Sequence, residues 1–387
     1  MCNVTVYLEE RFVSFKGEYY SLVYDDNFWQ RYFQVFDSVN VVARVLEVDN
    51  FNDIHESYNK ITDSRINFIK IPYFHGLKQG ILNLPKLNLA IYKAVKNSDK
   101  NILRLPGLIS IFAGICITFD KKKYAVELIG DPYDVLSSGV GGKAAPMLKV
   151  IFTKLTQIIT RNANAVSYVT KQKMQVRYPA QANAYTTYYS SLNLNIKKIE
   201  KNIRQRLDVN NLKILMVGSM EQKYKGFDIA LKAISLLSFK ENIEIHLVGD
   251  GVIKQDLENL AFNLGLSDNV FFYGRVPNEK VLSLMKSTDL FLIPSRTEGL
   301  PRVLIEAMAM GLPVIGSNVG GIPELIDQEF VFENENVDEL VKLIEYITKS
   351  KNIATISKAN IEKVQEYDKS ILDKRRLDFY SFLNNLR

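Results

Sequence analysis

The segment from Asp289 to Ile326, DLFLIPSRTEGLPRVLIEAMAMGLPVIGSNVGGIPELI, constrains the fold more than any other part of this chain. The apolar run Leu290 to Ile293 is a buried strand ending in a polar turn that holds Glu298 and Gly299. A helix begins near Pro301, where the missing N–H costs nothing. Gly311 supplies the left-handed cap, Pro313 forbids continuation, and Pro313 to Gly316 forms the next buried strand. A second loop, Ser317 to Gly321, feeds a short helix around Pro323 to Ile326. Two successive strand–loop–helix units thus aim helix N-termini at one sheet edge, a setting that favours a bound anion such as phosphate. Glu298 lies in the loop and Glu306 inside the helix among Val303, Leu304, Ala307 and Met308. A carboxylate in apolar surroundings needs a partner, and the vicinal hydroxyls of a sugar or ribose suit its two oxygens.

The first half alternates strands with helices, the pattern of a parallel sheet covered on both faces. Strands are expected at Asn3 to Leu8, Val39 to Val45, Ile66 to Tyr73, Asn101 to Leu103 and Tyr124 to Ile129. The aromatic stripe Phe28, Trp29, Tyr32, Phe33 and Phe36 has helical spacing and is read as core. Gly17, between a first strand and a helix, stands where a nucleotide-binding sheet brings backbone close to phosphate. Arg104 follows one strand end, and Glu127 and Asp131 mark another, so they are candidate acceptor-side groups. Ser190 to Asn211 reads as a charged helical linker.

In the second half, the strand Asn211 to Val217 leads to Gly218 and Ser219 and then to Lys225-Gly226 at a helix start, where a lysine is a ready point charge for a diphosphate. The loops Gly249-Asp250-Gly251 and Gly274-Arg275-Val276-Pro277 follow two further strands on the same edge. Helices close the chain at Val337 to Lys349, Ile353 to Tyr367 and Ser370 to Leu386.

These residues resemble the signature of retaining GT-B glycosyltransferases of family 4: two Glu separated by seven residues, then a Gly-Xaa-Pro-Val and a Gly-Gly loop. The resemblance implies two Rossmann-like α/β domains facing a cleft, with residues 1–195 on the acceptor side, 205–360 binding a nucleotide sugar, and a helix over 361–387 returning to the first domain. It implies that Glu298 faces the donor sugar, Glu306 holds the ribose, the amides of Gly299, Leu300 and Pro301 face the donor, and Gly17, Gly218, Gly249, Gly274 and Arg275 line the donor site. Lys225 would carry leaving-group charge, with Asp131 as a further catalytic candidate. Attack on the same face of the sugar, with the donor phosphate as base, would retain the anomeric configuration.

Two departures stand out. Family members normally carry Arg where this chain has Ser219, and Lys223 either partly replaces that cation or is simply solvated. They also carry His at the strand ends, whereas His55, His75 and His246 lie elsewhere, so Arg104 and Asp131 take over the site or the His-dependent part is absent. The surroundings of SRTEGLPRVLIEAMAMGLP, with RLPG and GDPYD, are similar to the bacterial capsule and surface-polysaccharide branch. The resemblance therefore implies transfer of a hexosyl or N-acetylhexosaminyl group from a nucleotide-diphosphate sugar to a glycan or lipid-linked acceptor.

Composition bounds the rival readings. With 387 residues, 47% hydrophobic and 24% charged, the chain has the makeup of a globular protein large enough for two cores. No Asp-Xaa-Asp and no Cys/His cluster is present, which fits transfer without a metal or other cofactor. Cys2 and Cys116 are too few for a disulfide framework, and the short N-terminal apolar run is no secretory signal, so a cytoplasmic location is expected. Between Asp134 and Glu200 there is no acid, while nine Lys and Arg fall there. That asymmetry within a net charge of +6 points to an anionic partner, either the inner face of a membrane met peripherally by residues 135–199 or a phosphorylated substrate. Nucleic acid is disfavoured, since no basic–aromatic recognition motif accompanies the charge. A dinucleotide-dependent dehydrogenase would need a Gly-Xaa-Gly-Xaa-Xaa-Gly after a strand, and none occurs. The remaining alternative is a non-catalytic GT-B subunit that binds sugar or a partner: the missing Arg and His favour it, while Glu298, Glu306 and Lys225 oppose it.

Overall fold

Short apolar runs alternating with helices build two sheets in the computed structural model, which describes residues 2–55, 58–74, 79, 83–137 and 142–386. His75, and residues 138–141 of the acid-free stretch, lie outside the described residues. The chain divides into one unit of Met1–Tyr189 with Asp373–Arg387 and another of Ser190–Leu372.

In the first unit the strand Asn3–Phe15 lies between Ser38–Glu47 and Lys100–Leu105, parallel to both. Ile66–Ile71 extends the sheet on one side, and Tyr124–Leu128, Ala165–Tyr168 and Tyr185–Tyr188 extend it on the other. Side chains alternate between faces along each strand. Leu103, Leu105, Val126, Leu128, Val166 and Tyr168 pack on one face with Ile91, Ile109, Ala113 and Ile159 from the helices Leu84–Lys96, Leu108–Phe119 and Ala145–Asn162. Ile102, Arg104, Glu127 and Ser167 therefore point to the opposite face.

The second unit is a six-stranded parallel sheet in the order Val270–Phe272, Ile243–Val248, Leu212–Val217, Leu290–Ile293, Val314–Ser317, Val331–Phe332. Its central strands are buried on both faces, as their near-continuous apolar sequences require. The final helix, Lys369–Asn385, starts in this unit, and its residues from Asp373 onward belong to the first.

Three local expectations are corrected. Gly17 does not precede a helix: Phe15 pairs with Glu18 in an antiparallel hairpin, and Lys16 and Gly17 form its two-residue turn at φ 48° and 83°. Positive φ at both turn positions is what a tight hairpin of this twist demands. The aromatic stripe forms core, with Trp29, Tyr32 and Phe36 buried, but only Asp26–Trp29 is helical. Ser190 to Asn211 is no helix beyond the short turn Ile196–Lys198. Tertiary anchoring holds it instead: buried Arg204 donates to the carbonyls of Asn202, Met285, Lys286, Thr288 and Met310. The carbonyls of Met285, Lys286, Thr288 and Met310 close the helices Asn278–Ser287 and Arg302–Ala309, whose last turns leave acceptors in need of donors.

Candidate active site

Strand ends of the second unit bring Lys225 and Glu298 together. After Leu212–Val217 the chain turns through Gly218 and Ser219 to the short turn Lys223–Lys225, closed by Gly226 in the left-handed conformation. A Cβ on Gly226 would sit 1.8 Å from the Pro294 carbonyl oxygen, so only glycine lets this turn reach the loop after Leu290–Ile293. Across that contact the Lys225 ammonium donates to the Glu298 carboxylate, which also accepts from the Ser295 hydroxyl at 2.9 Å. The Lys225 and Glu298 side chains are 17% and 10% exposed, so the pair is largely shielded yet open to a ligand. Lys225 reaches it by running across Gly218, where a Cβ would lie 2.8 Å from the lysine Cγ.

The pair borders a cavity of about 590 Å³ in this unit, lined also by Gly218, Ser219, Leu300, Pro301, Arg302, Val303 and Glu306, with Asn278 and Val281 from a neighbouring helix and Leu192 and Asn193 from the linker. Glu306 is half-buried, and its carboxylate accepts no hydrogen bond among the described residues. Burial pushes its pKa above the ordinary glutamate value, an effect only partly offset by the nearby charge of Arg302. An oxygen pair held this way has both the need and the geometry for two hydroxyl donors.

The remaining predicted donor-side residues divide into lining and support. Gly299 supports: its carbonyl accepts from the Gly321 amide at 2.6 Å, and a Cβ on Gly320 would lie 2.0 Å from the Glu298 carbonyl oxygen. The Gly-Gly loop thus packs backbone to backbone beneath Glu298. Gly249 bridges to Gly274 and leaves no room for a Cβ against the Gly218 carbonyl. Gly249, Gly274 and Arg275 do not belong to the cavity lining; Gly249 acts through close packing of loops, and Gly274 through its left-handed φ of 66°. Ser219 lines the cavity, and its hydroxyl also accepts from the Glu221 amide. Lys223 is not in the lining of this cavity and instead lines a separate one with Asp228, Lys232 and Asp256.

The acceptor-side candidates are in the first unit. Arg104 and Glu127 face each other across adjacent strands as a buried ion pair, and Glu127 also accepts from Tyr189 and Tyr380 at 2.8 and 2.7 Å. Burial alone would raise the Glu127 pKa, but the Arg104 charge and the two hydroxyls outweigh it and hold the carboxyl below its ordinary value. This network ties the sheet to the final helix, so both residues are engaged within the first unit. Asp131 is buried and likewise engaged, pairing with Arg177, accepting from Tyr178 at 2.6 Å and capping the next turn through the Tyr133 amide. Gly17 occupies the hairpin turn described above.

Sequence reasoning missed Arg296, Arg302 and Asn278. Arg302 stands between the two glutamates and was legible from its position alone. Asn278 and Arg296 gave no local signal, since their neighbours in space are distant in sequence. Among the described residues no group of three or more His, Cys, Asp or Glu is arranged to hold a metal ion.

Residues 198–364 match the family described as Glycosyl transferases group 1. Nearly the whole chain is similar to Protein CapJ of Staphylococcus aureus, 31% identical over 383 residues, covering 95% of this chain and 94% of the relative. Amylovoran biosynthesis glycosyltransferase AmsK of Erwinia amylovora is 37% identical over 123 residues, 30% of each chain. Among solved structures, WaaG, a glycosyltransferase involved in lipopolysaccharide biosynthesis, superposes with a TM-score of 0.64 over 99% of this chain and 100% of that one, at 17% identity. The two Rossmann-like units, the match across the second of them and the full-length relative together identify the chain as a member of the group 1 glycosyltransferases, with the GT-B fold.

Proposed function

We propose that this glycosyltransferase moves a hexose or N-acetylhexosamine from a nucleotide-diphosphate sugar to a glycan or lipid-linked acceptor in surface-polysaccharide assembly, with retention and without a metal. One observation carries the reading: a lysine and a glutamate from two strand ends meet at a cavity of about 590 Å³ whose other carboxylate, Glu306, is half-buried and accepts no hydrogen bond among the described residues. In this reading Glu306 accepts from the ribose hydroxyls and Glu298 from the donor sugar. Binding of the donor draws the Lys225 ammonium onto the diphosphate, where it stabilises negative charge as the glycosidic bond breaks. Preorganised cations of this kind supply the electrostatic role that a divalent ion plays elsewhere, which supports metal-independent transfer. The amylovoran enzyme among the relatives supports the biosynthetic setting.

The proposal extends to an anionic membrane at the cytoplasmic face as the place where a lipid-linked acceptor is met. Support comes from the helix Ala145–Asn162, which turns Met147, Val150 and Ile158 outward at 62%, 50% and 52% exposure on the same face as Lys154 and Arg161. Apolar groups among cations, in a stretch without acids, suit an interface of lipid headgroups. No helix among the described residues is long and apolar enough to cross a membrane.

A panel of UDP-, GDP-, dTDP-, ADP- and CMP-sugars tested by thermal shift, followed by assay of nucleotide release, tests the reading. One nucleotide-diphosphate sugar should raise the unfolding midpoint of the parent far more than that of Glu306→Ala and release its nucleotide slowly without acceptor. No response to any member would overturn it.

A further inference from the structure

We propose that Arg296 is a positioning residue, whose guanidinium fixes the turn carrying Lys225 so that the ammonium is delivered to Glu298. The inference rests on the roles given to Lys225 and Glu298 above. These two residues are 73 positions apart, and a lysine stem has many rotamers, so their meeting needs a cause. Arg296 Nη1 donates to the Lys223 carbonyl at 2.6 Å and to Asp228 Oδ1 at 2.8 Å, while Nη2 donates to Asp228 Oδ2 at 3.0 Å. Its backbone amide donates to the Tyr224 carbonyl at 2.7 Å. Arg296 therefore grips the chain on both sides of Lys225, and it stands two residues from Glu298 on the same loop. Its Nε donates to Glu335 at 2.6 Å, which fixes the third edge of the guanidinium plane.

The arrangement is more than a surface ion pair. Arg296 and Asp228 are only 20% and 14% exposed, and the contact is bidentate, the geometry in which guanidinium and carboxylate hold direction as well as charge. Burial would raise the Asp228 pKa, yet the Arg296 hydrogen bonds and charge outweigh it and hold the carboxyl below its ordinary value. The guanidinium is absent from the lining of the Lys225 cavity, so it acts on the ligand through Lys225.

Titration calorimetry with inorganic pyrophosphate, on the full chain and four variants, tests this without knowledge of the donor. Lys225→Ala should weaken pyrophosphate by ~10–100-fold, the loss of one charged hydrogen-bonding partner. Arg296→Ala should weaken it by a factor approaching that, and the double variant should bind no more than about 2-fold worse than Lys225→Ala alone, as expected when one residue acts through the other. Arg296→Lys keeps the charge without the fork and should fall between Arg296→Ala and the parent. Circular dichroism on each variant separates loss of fold from loss of position, and Asp228→Asn carries the same coupling test should Arg296→Ala fail to fold. An equal factor from Arg296→Ala with and without Lys225, or a lowered unfolding midpoint with pyrophosphate affinity intact, overturns the clamp. Parental affinity in Lys225→Ala alone would instead overturn the role of Lys225, and the clamp with it.

Discussion

Substituting Gly218 by alanine should damage turnover while sparing the fold. Gly218 is outside the left-handed region, so alanine accepts its backbone conformation. The added Cβ would lie 2.8 Å from Lys225 Cγ, 3.0 Å from Cδ and 3.2 Å from Cε. Carbon atoms at rest prefer about 3.5–4.0 Å, so the lysine stem must retreat by roughly 1 Å. The ammonium, at the end of that stem, should move about as far from Glu298 and from the diphosphate it is proposed to serve. Misplacement of about 1 Å costs on the order of 10²-fold in rate, close to the ~10²–10³-fold expected for Lys225→Ala itself. Stability should change by no more than ~1 kcal/mol, because rotation of one flexible stem relieves the clash without moving backbone. Gly226→Ala is the contrast: its Cβ would meet the Pro294 carbonyl at 1.8 Å from a backbone φ of +70°, so it should lose the fold. The assay is nucleotide release from the donor under saturation, with thermal unfolding in parallel. A Gly218→Ala enzyme that folds normally and turns over within about 2-fold of the parent would refute the reasoning that Lys225 works from this position.

Three further outcomes follow from the same geometry. In the proposed role Glu306 accepts two ribose hydroxyls as a carboxylate, and its pKa is raised by burial, so donor affinity should fall as pH drops at a higher pH than an ordinary glutamate would cause. Glu306→Gln should bind weakly throughout and lose that dependence, as read by affinity titrations across pH. Co-sedimentation with liposomes should rise with the fraction of anionic lipid and fall with salt, and Met147→Ser with Ile158→Ser should reduce it; binding indifferent to lipid charge would leave the stripe without this role. Activity should survive EDTA, whereas complete loss restored by magnesium or manganese would count against Lys225 as the leaving-group cation.

What the sequence disclosed depended on how local each signal was. The edge of the second unit was legible because each strand is a short apolar run ending in glycine or a polar turn, and Gly311 takes the left-handed conformation expected of a helix cap, whereas the backbone contacts that Gly226 and Gly320 permit were not legible. Glu298 and Glu306 were legible from their spacing across one loop and one helix start. The pairing of Arg104 with Glu127 was not legible, because it depends on the register between two strands. Gly17 misled for a related reason: Lys16-Gly17 between Phe15 and Glu18-Tyr19-Tyr20 is a two-residue hairpin turn, but the expectation of a covered parallel sheet hid it. Arg296 could not be found at all from sequence, since Lys223, Asp228 and Glu335 converge on it only in the folded chain.

The central claim is that the two glutamates divide the donor between them, Glu306 holding the nucleotide and Glu298 the sugar. Affinity measurements of Glu306→Ala and Glu298→Ala for the bare nucleotide diphosphate and for the intact nucleotide sugar test it most directly. Glu306→Ala should weaken both ligands by ~1.5–3 kcal/mol, as for hydrogen bonds to a charged group, whereas Glu298→Ala should spare the bare nucleotide and weaken only the intact donor. Equal losses on both ligands from both variants would contradict the division and with it the account of the site.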